Sequence, residues 1–329
     1  MVYTESNNAD VEIIMRAREL TMLLRKLAKL TPSQRQRVAT ALVTVERKTT
    51  AASVIETNVP HHGCPHCHGE HVVKNGIVSG MQRFKCRSCL KTFNALTGTP
   101  LAHLHLRDKW LDQAAALRDG LSLKQVEAQL GVAHATAFRW RHRFLATAKS
   151  LMAPVLTGVA EADETMFLRS FKGQRGDLGR KSRHRGGKAA KRGMSREQVP
   201  VLVARDRSGA TADFVLAADA GAHIALALKP LVSDDLILCT DGSTAMAAAA
   251  KALGVEHHAI NLSAGIRVDG PWHVQNVNAY DSRLKGWLRH FKGVSTQYLD
   301  SYLGWFRAIE RSPAKRLQPA PFLAIAASV

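Results

Sequence analysis

Residues 235–243 read DLILCTDGS: an apolar run from Leu236 to Cys239, then Thr240, then an acid, Asp241, before a glycine and a serine. A short run without alternation is what a strand covered on both faces requires, and the Gly-Ser pair marks a turn. The flanking sequence continues the pattern. Upstream, GVAEADETMFL (158–168) predicts a strand, PVLVARDRSGATADFVLA (200–217) a hairpin turning at Ser208-Gly209, and AHIALALKPL (222–231) a helix. Downstream, TAMAAAAKALG (244–254) predicts a helix closed by Gly254, VEHHAINL (255–262) a strand, and WHVQNVNAYDSRLKGWLRHF (272–291) a further helix. The order β-ββ-α-β-α-β-α implies a mixed sheet flanked by helices, so residues 151–310 form an α/β domain of a multidomain chain.

That order matches an RNase H-like core, in which the first and fourth strands are neighbours. Asp163 lies in the first strand and Asp241 ends the fourth, so their carboxylates are expected to share a metal site. Phosphodiester oxygens repel nucleophiles. Two Mg²⁺ ions about 4 Å apart activate a water and stabilise the leaving oxygen, and such hard cations take oxygen ligands. Glu161 and Glu164 flank Asp163, and strand alternation is expected to turn them to the opposite face.

The front of the chain carries different chemistry. Four of the five cysteines fall in CPHCHGEHVVKNGIVSGMQRFKCRSC (64–89) as two C-x-x-C pairs. Each pair makes a knuckle with two thiolates aimed at one centre, so Cys64, Cys67, Cys86 and Cys89 are the expected ligands of a structural Zn²⁺. The intervening residues predict two short strands around Ser79-Gly80, a zinc ribbon over 58–105. His66, His68 and His71 are alternative ligands, and Cys239 is expected to be a buried thiol.

Two helical units flank the ribbon. Residues 1–57 predict a helical hairpin: Ile13, Ala17, Leu20, Leu24 and Leu27 keep helical spacing, and Thr31, Pro32 and Gln34 form a capping box. The hairpin is expected to pack on the rest of the chain, with residues 48–60 a linker. Within 106–150, GLSLKQVEAQLGVAHATAFRWRHRFL starts a helix at Ser122, stops it at Gly131 and restarts near His134, which is a helix-turn-helix pattern. Thr136, Arg139 and Arg143 share one face of the second helix and are the expected DNA readers.

Charge agrees. Forty-six Lys+Arg against 27 Asp+Glu leave +19, with a pI near 10.2. Such a field attracts nucleic acid. Neither an 18-residue apolar run nor a basic amphipathic helix favours a membrane, so a cytoplasmic, nucleoid-associated protein is expected, with no small-molecule substrate. Between the first strand and the hairpin, residues 169–196 hold eleven Lys/Arg and one acid among several glycines. This reads as a flexible arm for phosphate backbones.

Together CPHC…CRSC, EADET, VPVLVARDRSG, TDGS and HVQNVNAYDSRLKGWLRHFKGVSTQYLDSYLGW resemble a DDE-type bacterial insertion-sequence transposase with an amino-terminal zinc ribbon and a compact RNase H-like catalytic domain. The resemblance spans roughly residues 60–310. It implies that Asn278, on the last core helix, is the third ligand for catalytic Mg²⁺ or Mn²⁺, and that Lys285, seven positions on, contacts the transposon end. Two positions depart from the pattern. Asn278 stands where the superfamily usually has glutamate, and its amide oxygen can ligate Mg²⁺ only without charge. Asp281 stands where this branch suggests histidine. It is three residues from Asn278 and is able to supply the missing charge, although a solvated or helix-capping role is the plainer expectation.

The implied function is binding of terminal inverted repeats, by a homo-oligomer on DNA, followed by metal-dependent cleavage and strand transfer. The alternative is a non-catalytic DNA-binding regulator derived from a transposase. A covalent Ser or Tyr recombinase is disfavoured, because the four tyrosines lack a surrounding Arg/His constellation. Residues 311–329 read as a tail.

Overall fold

In the computed structural model, residues 17–58, 63–150, 152–174, 187–190, 195–218, 220–261, 264–311 and 319–328 are described. Ile13 and most of the basic segment 169–196 lie outside them. The first helix, α1 (Ala17–Ala28), is followed by α2 (Pro32–Asn58), which starts on the expected capping box: Gln34 N donates to Thr31 Oγ1 and Thr31 N to Gln34 Oε1. The expected linker is helix instead. Ala51, Ala52 and Ile55 recur at helical spacing and are buried, whereas Met22, Leu24, Leu42 and Val45 are exposed. Only the last turns of α2 therefore pack on the body, and the front of the hairpin stands clear of it. The packing expected for the whole hairpin is therefore not seen: Leu23 and Val43 are exposed there as well.

Strands β1 (Val72–Val78), β2 (Met81–Cys86) and β3 (Thr92–Phe93) make a small antiparallel sheet. Ser79 and Gly80, both at positive φ, form the two-residue turn between the paired Val78 and Met81. Its core is minimal: Cys64, Cys86 and Phe93, with Phe93 stacked on Phe84. Next come α3 (Trp110–Arg118), α4 (Leu123–Leu130) and α5 (His134–Phe144). Ser122 and Gln125 cap α4 reciprocally, and Gly131 ends it in the left-handed conformation, as the sequence requires.

Five strands form the central sheet: β4 (Val159–Leu168), β5 (Gln198–Asp206), β6 (Thr211–Val215), β7 (Ile237–Thr240) and β8 (Glu256–Ala259), in the order β6-β5-β4-β7-β8. β5 pairs antiparallel with both β4 and β6, and β7 runs parallel to β4 and β8. Helices α6 (Gly221–Leu228) and α7 (Thr244–Leu253) cover one face, over Ala160, Ala162, Leu202 and Ala204. On the opposite face Val199, Val201 and Val203 join a larger core. The continuous apolar run of β5 follows from this, because both faces are covered.

The larger core is closed by α8 (Gln275–Arg289), α9 (Leu299–Glu310) and α10 (Pro319–Ala327), together with α2–α5. Here the sequence reading needs two corrections. Trp272-His273 is not helix but strand β10, paired with β9 (Val268–Asp269), so α8 starts three residues later than expected. The supposed tail contains α10, whose Phe322, Leu323, Ala326 and Ala327 are buried. A buried arginine ties these parts together. Arg141 donates to Leu121 O and lies over the Trp305 and Phe291 rings. A second, Arg307, pairs with buried Asp213, which also accepts from the Tyr280 hydroxyl at 2.9 Å.

Candidate metal centres and nucleic-acid surface

The register of β4 on β7 decides the first centre. Glu161 lies opposite Cys239, and two more residues along each strand set Asp163 beside Asp241. Asp241 sits one residue past β7, where Gly242 turns the chain at φ 77°. A Cβ there would come within 3.1 Å of Ala259 Cβ, so the turn needs glycine on both counts. Asp241 Oδ1 accepts from Ser243 N, and Ser243 Oγ in turn caps α7. The aspartate is thereby held at the mouth of the strand by the first turn that follows it.

A third acid joins this pair. Ligand atoms of Asp163, Glu164 and Asp241 all lie within 4.8 Å of one another, close enough to hold one cation. Glu164 was expected on the far face. Alternation does turn it away from Asp163, but β7 ends at Thr240 and the longer glutamate chain reaches round that end. Burial first, and then the neighbouring Asp241 charge, push the Asp163 carboxyl up to about 6, with Lys285 opposing. Crowded, partly desolvated carboxylates of this kind are stabilised by a divalent cation.

Glu161 requires a second correction. Two residues before Asp163, it shares that residue's face, because strand side chains repeat every second position. It is fully buried and accepts from the Asn276 N (2.7 Å), Asn276 Nδ2 (2.8 Å) and Val277 N (3.0 Å) donors. Arg207 and His273 lie 3.3 Å from its Oε1. Glu161 is thus the cap that fixes the start of α8 against β4. One turn further, the half-buried Asn278 follows on α8, with Asp281 and Lys285 beyond it. Asp281 is neither solvated nor a cap: it is buried in mid-helix. The sequence showed its spacing from Asn278 but not its burial.

The second centre is the thiol cluster. Cys64 Sγ lies 3.6 Å from Cys89 Sγ, and Cys67 Sγ 3.7 Å from Cys86 Sγ; no disulfide links them. Tetrahedral coordination with metal–sulfur bonds of about 2.3 Å sets ligand sulfurs about 3.8 Å apart, which these distances fit. The Cys89 N–H, 3.5 Å from Cys86 Sγ, is the main influence lowering the Cys86 thiol to about 6. None of His66, His68 and His71 belongs to the cluster. Cys239 is buried, as expected.

On α5, Ala137, Trp140 and Phe144 face the core while Arg139 is exposed and Thr136 half-buried. Arg143 differs from expectation. It donates to the carbonyls of Pro100 and Ala102, holding the loop after the small sheet against α5. Among the described residues no helix is long and apolar enough to cross a membrane.

Residues 155–307 match the family model of the ISXO2-like transposase domain. An uncharacterised protein in the transposable element ISH50 of Halobacterium salinarum is 32% identical over 260 residues, covering 77% of this chain and 87% of that protein. Solved structures of a pre-cleavage Mos1 transpososome and of a Mos1 transposase paired-end complex with the left transposon end are each 16% identical. Each alignment covers 61% of this chain and 76% of theirs, at TM-scores of 0.22 and 0.19, too low to add to the argument. With its ISXO2-like domain and an insertion-element relative matched over most of both chains, the protein belongs to the insertion-sequence transposases.

Proposed function

We propose that the chain binds the terminal inverted repeats of its element, cleaves the strand ends and joins the freed 3′-OH to target DNA. The observation that carries this reading is the parallel register of β4 and β7, which sets Asp163 beside Asp241 with Glu164 in reach. The mixed order β6-β5-β4-β7-β8 supports an RNase H-like catalytic domain. In this reading Asp163, Asp241 and Asn278 hold Mg²⁺ or Mn²⁺, which supply an activated water and charge neutralisation at the leaving oxygen. Glu161 positions the Asn278 helix. Lys285 balances the carboxylates and contacts the transposon end. Cys64, Cys67, Cys86 and Cys89 hold Zn²⁺, and that ion organises the small sheet.

DNA is gripped in front of this centre. Arg139 and Thr136 of α5 contact the end sequence, Arg143 supports them from behind, and the basic segment 169–196 lies along phosphates. Two copies of the chain hold two ends. The test is cleavage of a DNA fragment carrying the element's end. Asp163→Asn and Asp241→Asn each remove several kcal/mol of transition-state stabilisation, about a thousandfold in rate, while end binding persists. Cleavage that survives either change overturns the assignment. A wild-type chain that binds ends and cleaves nothing is instead a regulator.

A further inference from the structure

One acid near the first centre lies outside its three-carboxylate group. Asp281 stands three residues after Asn278 and four before Lys285, so all three line one side of α8. It is only 6% exposed, and its Oδ1 has no hydrogen-bond partner among the described residues. Burial, followed by the charge of Asp163, raises its carboxyl to about 7, and Lys285 opposes. Helix α8 packs against β4, the strand that carries Asp163. A buried carboxylate oxygen without a hydrogen-bond partner is costly, and a bound cation is one partner that removes the cost.

The charge inventory points the same way. Asp163 is common to both sides of the centre: it clusters with Asp241 and Glu164 on the sheet, and it acts electrostatically on Asp281 across the gap to α8. On the helix side Asn278 offers only a neutral oxygen. Sites for hard divalent cations tighten with the number of charged oxygen ligands.

We infer that Asp281 is a ligand-side carboxylate on the α8 half of the centre, supplying to a divalent cation the negative charge that Asn278 lacks. The inference rests on the reading of Asp163 and Asp241 as metal-holding residues. It makes the helix side a composite, with a neutral oxygen from Asn278 and a charged one from Asp281 a turn later.

The experiment measures Mn²⁺ affinity of the zinc-loaded full-length protein without DNA, from the electron paramagnetic resonance signal of free Mn²⁺. Asp281→Asn keeps the shape of the side chain and should raise the Mn²⁺ Kd at least tenfold, with circular dichroism and end binding unchanged. Adding Asn278→Asp to that variant returns a charge from the adjacent turn and should restore the Kd to within a few-fold of wild type. Asp163→Asn is the control. If it weakens Mn²⁺ binding while Asp281→Asn does not, the inference is overturned and the Asp163–Asp241 reading stands. If Asp163→Asn also leaves the Kd unchanged, that reading itself fails. A double variant as weak as, or weaker than, Asp281→Asn alone overturns the charge-supply account.

Discussion

The thiol cluster and the carboxylate centre are both groups whose ligand atoms lie within 4.8 Å of one another, yet they are assembled in opposite ways. The four sulfurs come from two tight knuckles in 26 consecutive residues, joined by one hairpin. The carboxylates come from β4 and from the exit of β7, about 80 positions apart, and the helix that packs on β4 beside them follows β10. Their surroundings differ as well. Cys64, Cys86 and Phe93 are nearly the whole interior of the small sheet, so the thiols are its core. The acids instead sit on the central strand and at the end of its neighbour, in a sheet with apolar cores on both faces. The first site makes its fold, whereas the second is made by its fold.

The largest effect that contrast predicts is at Cys86. In the proposed zinc site, Cys86→Ser removes one of four ligands, and binding of such an ion supplies on the order of 10 kcal/mol to a small domain of this type. The variant should lose its zinc by elemental analysis and become protease-sensitive between β1 and β3. The sheet around β4 and β7 should still melt cooperatively. Retained zinc and protection would break the comparison.

A smaller effect is expected at Glu161. Glu161→Ala strands the buried amide of Val277 and the part-buried amide of Asn276, and should cost about 3 kcal/mol in thermal unfolding. Mn²⁺ affinity should fall too, because α8 carries Asn278. Glu161→Gln keeps an acceptor oxygen and should recover part of both. Lost stability with unaltered Mn²⁺ affinity would mean that the cap does not position the metal side.

The smallest effect concerns pH, and its sign separates the two sites. The Asp163 and Asp281 carboxyls stand at about 6 and about 7, above the ordinary carboxylate range. The folded chain then holds these protons more tightly than the unfolded chain does. Their contribution is fully present below about pH 4 and is lost as pH rises through roughly 4 to 7. Without added Mg²⁺, zinc-loaded protein should lose melting temperature across that window and regain it with Mg²⁺ at pH 7.5. Asp163→Asn should flatten the fall. The thiol cluster behaves in reverse, because protons compete with its metal and its contribution is lost as pH falls.

The same contrast governs what was legible beforehand. Knuckle spacing, the Ser79-Gly80 turn and the Thr31 and Ser122 caps are local devices, and the structure has each where its residues placed it. Asp163 and Asp241 were legible because each follows from a strand pattern. The errors occur where a residue's neighbours come from elsewhere. Residues 48–58 are poor in apolar signal, and they remain helical where Ala51 and Ile55 meet a body that includes α10. Arg143 carries the pattern of a DNA contact, but the carbonyls of Pro100 and Ala102 reach it first.

By itself the sequence determined the succession of core strands and helices along the chain, the four-thiol spacing, the basic character of the chain and the strand positions of the two aspartates, because these depend on composition, period and spacing along the chain. Only the tertiary structure decided that Glu161 caps α8, that Glu164 joins the two aspartates, and that Asp281 is buried on the helix that packs on β4. The physical reason is that the role of a carboxylate is set by its desolvation and by the charges and amides around it, and here those come from strands and helices far apart in the chain.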